Sequence, residues 1–577
     1  MRSLRQVFGR GENRAESDAA AKSWNTLSTI GVGSVADVDA HGVVYPRGRP
    51  LSIEVWFGSG DRWVRGSADA GVRQTRVVGL PIIETRQRVG DDDLVQTAWA
   101  DESGDGRGRV IVELRNETDV AVVAAIVVRP RTLLGEGSIT DLRVADTLIV
   151  ADRRPLIELS RRPGDVAAAV DGDDALLDLL RQSSVSLVAH TDIHDDDGRA
   201  SLAAMIPLTP GIERQIQILD GREAATVAPA PLDRVVAGWR SHLENGAEFD
   251  LPGWPKHLPT ALMSSLIGAV ADEQGPLGAV SWKIDDDAGL ATALGGVGLD
   301  WAASSVVDRL LDGVADGTIR RSHWVGVAAA CASIVGSSVG DETLARHADS
   351  VVSVAGEVLT KTSTPWLPGR LVEVVRVAHG TKAADDASSI VASKTTVGVV
   401  PLARLGVPVG KDNCSEVVNE IEGATRPLGV FDVALSMVAS SQCGRAFDGV
   451  VPVRALAGSS WRWGHDGCGD SPQARAAILG GLRSLVLGED DDIIDLVPGF
   501  QASWLGQNVR VARIPTRVGM CSFAIRWHGA RPALLWEFDR QPTEPFTLMC
   551  RTLDPTFCSG DAAGEALLEE PSHLVGA

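Results

Sequence analysis

Residues Leu232–Pro252 read LDRVVAGWRSHLENGAEFDLP, and the hydrophobic period of the chain changes across them. Val235, Val236, Trp239 and Leu243 recur at helical spacing, which predicts an amphipathic helix. The segments before it alternate like strands, and those after it are helical for more than two hundred residues. The stretch therefore reads as a linker helix, spanning about residues 231–251, that leaves one domain and enters another.

Upstream, residues 24–230 are rich in Val, Ile and Thr. Short runs such as LSIEVWF from Leu51, LVQTAWA from Leu94, RVIVELRNE from Arg109 and RQIQIL from Arg214 are separated by Gly, Asp and Pro. Repeated short strands with that punctuation predict a β-sandwich. VAVVAAIVV from Val120 is too short to span a bilayer and reads as a buried strand. GDVAAAVDGDDALLDLLRQ from Gly164 reads as a helical insertion. TDIHDDDGRASL from Thr191 reads as a polar hairpin turn, since it lacks the spacing and terminal Glu of a calcium loop.

Downstream, residues 252–487 give about twelve helical segments. DWAASSVVDRLLDGVA from Asp300 and DETLARHADSVVSVAGEVL from Asp341 are two of the clearest, and weaker ones fall near Val399 and Val453. Their Ala- and Gly-rich faces permit close helix–helix approach. Residues 488–577 return to strands, with NVRVARIPT, CSFAIRWHG and PALLWEFD among them. Residues 1–23 read as a flexible N-terminus. The fold class expected is multidomain α+β.

The chain has 577 residues with a formal charge of −21, from 55 basic against 76 acidic side chains. That balance disfavours nucleic acid or an anionic membrane surface as partner, because both repel it. The N-terminal segment shows no apolar signal region. Seven widely spaced Cys without a CxxC pair suit a reducing, cytoplasmic setting. No phosphate loop, dinucleotide fingerprint or G-x-S-x-G motif occurs, so no cofactor is expected.

This order of domains resembles the six-hairpin glycosidase superfamily, and in particular a little-characterised bacterial subgroup of it. The likeness is carried by VVAGWRSHLENGAEFDLP at the linker, by the segment from LVPGFQASWLGQNVRVARIPT to RPALLWEF, and by the tail LDPTFCSGDAAGEALL. It implies an (α/α)6 toroid over residues 252–487, with a mouth formed by the loops that enter the inner helices. The partner it implies is a carbohydrate.

Glycoside hydrolysis uses two carboxyl groups, one of them kept protonated for the leaving oxygen. SWKIDDDAGL places Asp286 and Asp287 immediately before a helix, where capping is the competing role. WRWGHDGCGDSPQARAAILGGL, from Trp461, places Asp466 and Asp470 in a Gly-rich loop before another helix, for which Ser471 and Pro472 make a start. These four are the candidate acid/base or nucleophile residues. Trp offers a flat apolar face and one N–H, which suits a pyranose ring. Trp282, Trp324, Trp366, Trp461 and Trp463 lie between helices or at helix starts, and with His465 they are the candidate sugar-binding residues. His465, Cys468 and Asp470 fall short of the four ligands of a structural zinc site, so no metal is expected.

In the subgroup, the loop pattern resembles G-C-M-G-D-G-x-H-G-W-A. Here Gly467, Cys468, Gly469 and Asp470 keep part of it, and SPQARA replaces the His and Trp. Two readings follow. One is a glycoside hydrolase-like enzyme acting on a glucan or oligosaccharide; the other is a non-catalytic carbohydrate-binding or regulatory relative.

Overall fold

Seven successive apolar residues, Val122–Arg129 less its terminal arginine, form a strand because both of its faces are covered. Val122, Ala124, Ile126 and Val128 enter the main core, whereas Ala125 and Val127 enter a second one with Trp56. A computed structural model places this strand between Ser52–Ser59 and Ser201–Leu208, antiparallel to both. It describes residues 23–59, 62–66, 71–89, 91–104, 106–133, 135–170, 172–182, 192–219, 227–271, 284–359, 366–379, 437, 463–464, 472–490 and 492–574.

The chain divides into two compact units: Met1–Val77, Pro81–Pro231 and Ala457–Asp466 in the first, and Val78–Leu80, Leu232–Leu456 and Gly467–Ala577 in the second. The first contains two nine-stranded sheets that share one core. Leu27, Val38, Ile53, Val55 and Phe57 of one sheet meet Ile83, Leu94, Val112 and Leu114 of the other. Alternation along each strand puts these residues on the inner faces. Strand Trp463–Gly464 also joins this unit, pairing antiparallel with Ser23–Thr29 so that Trp463 stands opposite Trp24.

Helix α1 (Asp173–Gln182) covers the outer face of the first sheet with Leu176, Leu177 and Leu180 packed on Trp56 and Met205. It is shorter than the helical insertion expected from sequence. Asp165–Ala169 is instead a strand paired with Ser201–Leu208. Ladder pairing overrides the helical preference of an Ala run, and Gly172, at φ +87°, separates strand from helix. The turn at Asp195–Gly198 forms as expected, with the Gly198 N–H bonded to the Asp195 carbonyl at 3.0 Å. It is not a hairpin, however. Asp192–His194 belongs to the second sheet and Ser201–Leu208 to the first, so the chain changes sheets here. SVSLVAH, the strand expected before it, lies wholly outside the described residues.

Beneath α1, Arg129 is buried between Glu54, to which Nη2 donates, and Asp173, whose Oδ2 accepts from Nη1 at 2.5 Å. Its guanidinium carbon also stands 5.9 Å from the centre of the Trp56 ring. Burial opposes the Arg129 charge, and the two carboxylates more than offset it.

The second unit opens with α2 (Leu232–Leu243), which buries Trp239 as the helical spacing predicts. Glu248–Asp250 then pairs with Val509–Thr516, so the end of the linker joins the C-terminal sheet. Helices α3 (Leu258–Val270), α4 (Ile284–Gly296), α5 (Asp300–Ala315), α6 (Trp324–Ile334), α7 (Ser338–Arg346), α8 (Ala348–Leu359), α9 (Trp366–His379) and α10 (Pro472–Val486) follow. DETLARHADSVVSVAGEVL is two helices rather than one. His347 leaves helical geometry, at φ −105° and ψ 30°, and its Nε2 lies 2.8 Å from Asp308 Oδ1. The expected segments at AADDASSIVASK, NCSEVVNEIEG, Val399 and Val453 lie outside the described residues; of PLGVFDVALSMVAS only Met437 is described.

Alternate helices pack on one another: α4 on α6, α6 on α8 and α7 on α9. The last, α10, returns to pack on α3 and α4. After α10 come two further sheets, of five and four strands, which contain the segments expected at the C-terminus. The fold is thus mixed α+β with several sheets.

Candidate functional site

Two glycines set how α4 and α6 lie together. A Cβ on Gly326 would stand 3.0 Å from Ala288 Cβ, and one on Gly295 would stand 2.6 Å from Ser333 Oγ. Position 288 thus faces 326 and position 295 faces 333, a constant offset. The helices are therefore parallel and in register, and their N-terminal ends lie side by side. By the same offset the backbone of Asp286 comes level with Trp324. The Ser333 hydroxyl donates to the Ala291 carbonyl at 3.3 Å and so bridges the two helices.

Gly295→Ala tests this packing. Ala gains about 1 kcal/mol over Gly within a helix. Here its methyl also meets the Ser333 carbonyl oxygen at 2.7 Å, and backbone cannot rotate away. We expect the clash to win, with a net loss of about 1–3 kcal/mol in urea unfolding.

Helix α10 runs parallel to α4 as well. Arg483, one turn from the end of α10, donates from Nε to the carbonyl of Gly296, the last residue of α4, at 2.9 Å. Its Nη2 reaches Glu489 at 2.7 Å and the Pro515 carbonyl at 3.2 Å, so a buried ion pair anchors the C-terminal ends. With the C-terminal ends fixed together, the start of α10 at Pro472 falls at the same end as Asp286 and Asp287.

At that end Asp287 faces Arg309 of α5, with Nη2 at 3.7 Å from Oδ1. The three-residue connection Val297–Leu299 turns α4 back along α5 and brings these two together. Trp324 is half-buried. Its Nε1 donates to the Ile319 carbonyl at 3.4 Å, and Arg321 stands 5.6 Å over its ring. One face of this indole is therefore held by a cation, which neither composition nor spacing foretold.

Trp366 sits elsewhere. It begins α9, whose Arg370 donates to the Ala332 carbonyl at 3.1 Å and the Val335 carbonyl at 3.0 Å. Those carbonyls end α6, about 16 Å from Trp324 for an eleven-residue helix. The structure thus separates Trp366 from the other described candidates. Its side chain, with those of Asp286 and Trp463, lies outside the described residues. So do Trp282, Trp461, His465, Asp466 and Asp470 entirely.

Sequence reasoning passed over one titratable group at that far end. Asp300 opens α5 like an ordinary first-turn acid, yet α7 and α9 close over it. Burial pushes its carboxyl up to about 6, against the pull of the Ser337 hydroxyl and of Arg370, and Asp341 adds to the rise. Among the described residues, no group of three His, Cys, Asp or Glu is arranged to hold a metal ion. No described helix is long and apolar enough to cross a membrane.

No protein-family model matches the chain, and no curated protein matches it either. Solved structures do. A proposed kojibiose phosphorylase from the human microbiome is similar over 96% of this chain and 96% of its own, at 8% identity and a TM-score of 0.45. A family GH92 α-mannosidase from Bacteroides thetaiotaomicron is similar over 84% of this chain and 80% of its own, at 8% identity and a TM-score of 0.27. At these scores neither an activity nor a family passes to this chain.

Proposed function

We infer that the helices of the second unit form an (α/α)6 toroid and that the protein acts on a glucan or oligosaccharide through its mouth. The observation that carries this reading is the common parallel register of α4, α6 and α10, which collects Asp286, Asp287, Trp324 and Pro472 at one end. The return of α10 onto α3 and α4 supports closure of the ring. In this reading Asp286 or Asp287 works with Asp470, which precedes α10 by two residues. One carboxyl protonates the leaving oxygen, and the other acts on water or on the anomeric carbon. Trp282 and Trp324 supply the faces and donors for sugar rings, while Trp463 belongs to a sheet of the first unit. The described cysteines are free thiols, in keeping with a cytoplasmic setting.

The second reading keeps the mouth without turnover. The replacement of the His and Trp after Asp470 by SPQARA favours it. Incubation of the full chain with a panel of α- and β-linked oligosaccharides, followed by calorimetry on the same panel, separates the two. Product from any linkage supports the enzyme. Binding without product supports the non-catalytic relative, and neither binding nor product overturns the carbohydrate reading.

A further inference from the structure

Away from the helices, the first unit carries a cleft of its own, with a volume of about 160 Å³. It opens at one end of the two-sheet core. Val35 comes from the first sheet, and Val110 and Ile218 come from the second, with Leu219 just beyond. Val32 and Ser34 form part of the rim. Gly108 lines the wall, and a Cβ there would fall 2.3 Å from Val35 Cγ2, so the lack of a side chain lets Val35 seat against the second sheet.

The polar part comes from one tight turn. The Arg49 N–H bonds to the Pro46 carbonyl at 3.3 Å, and Gly48 adopts φ +71° at the third position. A turn of this kind needs a positive φ there, which Gly supplies. It presents Arg47 and Arg49 at the same rim. Arg47 is fixed by Asp37, with Nε and Nη2 each 3.3 Å from a carboxylate oxygen, and Thr26 also donates to that carboxylate at 2.7 Å. Arg49 Nη2 donates to the Pro155 carbonyl at 3.1 Å. Two guanidinium groups therefore line the rim beside an apolar floor, Arg47 sharing its charge with Asp37, and each is a planar fork of N–H donors.

We propose that this cleft binds a small monocarboxylate with a compact apolar body, aromatic or branched. A cavity of about 150 Å³ lined by aliphatic side chains accepts benzene, so a single ring fits the space. The carboxylate meets the guanidinium rim, where paired N–H···O bonds match its geometry. Apolar pockets with a few convergent polar groups are the usual form of a small-ligand site. The site lies wholly within the first unit and is independent of the sugar-binding reading.

The test is calorimetry and ligand-observed NMR on the full chain with benzoate and isovalerate. Benzamide serves as the neutral isostere, and inorganic phosphate as an anion without an apolar body. Benzoate is expected to bind, benzamide about tenfold or more weakly, and phosphate not to displace it. Val32→Trp fills the cleft from its rim and Arg49→Gln removes a guanidinium. Each is expected to weaken benzoate by about tenfold or more with an unchanged melting temperature. Failure of benzoate to bind, equal binding of benzamide, displacement by phosphate, or unaltered affinity in Val32→Trp overturns the proposal.

Discussion

Arg129→Ala is expected to lower the stability of the β-sheet unit by about 3–5 kcal/mol, read as an earlier urea transition. The side chain of Arg129 is 4% exposed and that of Glu54 is 2% exposed, so solvent cannot take over when the cation is removed. Glu54 would keep a buried carboxylate without the cation that faces it. Asp173, at the first turn of α1 and 36% exposed, can turn to water at little expense. The loss therefore comes mainly from Glu54. Truncation also removes the cation over Trp56 and leaves space under α1, both in the same direction. Replacing both members, as Glu54→Leu with Arg129→Met, is expected to recover most of the loss, since a buried pair is often matched by apolar residues of similar volume. A loss below about 1 kcal/mol in the single variant would show that water reaches this pair.

Asp300→Asn is expected to stabilise the helical unit at pH 8 by about 3 kcal/mol, and to make no difference below pH 4. The sign follows from the direction of the shift. Folded, the carboxyl ionises near 6; unfolded, near 3.8. The folded state thus holds the proton more tightly. Its contribution is fully present below about 3.8 and is lost as pH rises through 6. Above that, a partly buried carboxylate faces Ser337, Arg370 and Asp341 with too little water. Asn removes the charge and keeps an oxygen that accepts from Ser337. Urea unfolding of both proteins from pH 4 to 8 checks it; parallel stability curves would contradict the assignment.

The linker shows how far local sequence reaches. Trp239 recurs at helical spacing and is buried, but the helix ends at Leu243, and EFD, inside the span read as linker helix, becomes a strand once Val509–Thr516 arrives. That partner is some 260 residues away, so no window of sequence contains the information. The Ala run at Ala167–Ala169 failed in the same way, because a neighbouring strand decided it. His347 breaks a segment that looks like one helix, through an acceptor on another helix.

The placement of the candidate residues was legible in part. Asp286, Asp287 and Trp324 share a register that only the Gly295 and Gly326 contacts disclose. Trp366 has the same sequence signature, a Trp at a helix start, yet its helix is tied by Arg370 to the other end. A helix start does not say which end of a bundle it occupies. Asp300 went unnoticed in the sequence because its burial by α7 and α9 leaves no mark in its own neighbourhood.

The most direct test is a crystal structure of the full chain soaked with an oligosaccharide chosen from the panel. The account predicts sugar at the N-terminal ends of α4, α6 and α10, between Asp286 or Asp287 on one side and Asp470 on the other. Their carboxyl groups should stand about 5–9.5 Å apart, the span of retaining and inverting geometries. Sugar bound away from those helix ends, or carboxyl groups separated well beyond that span, would contradict it.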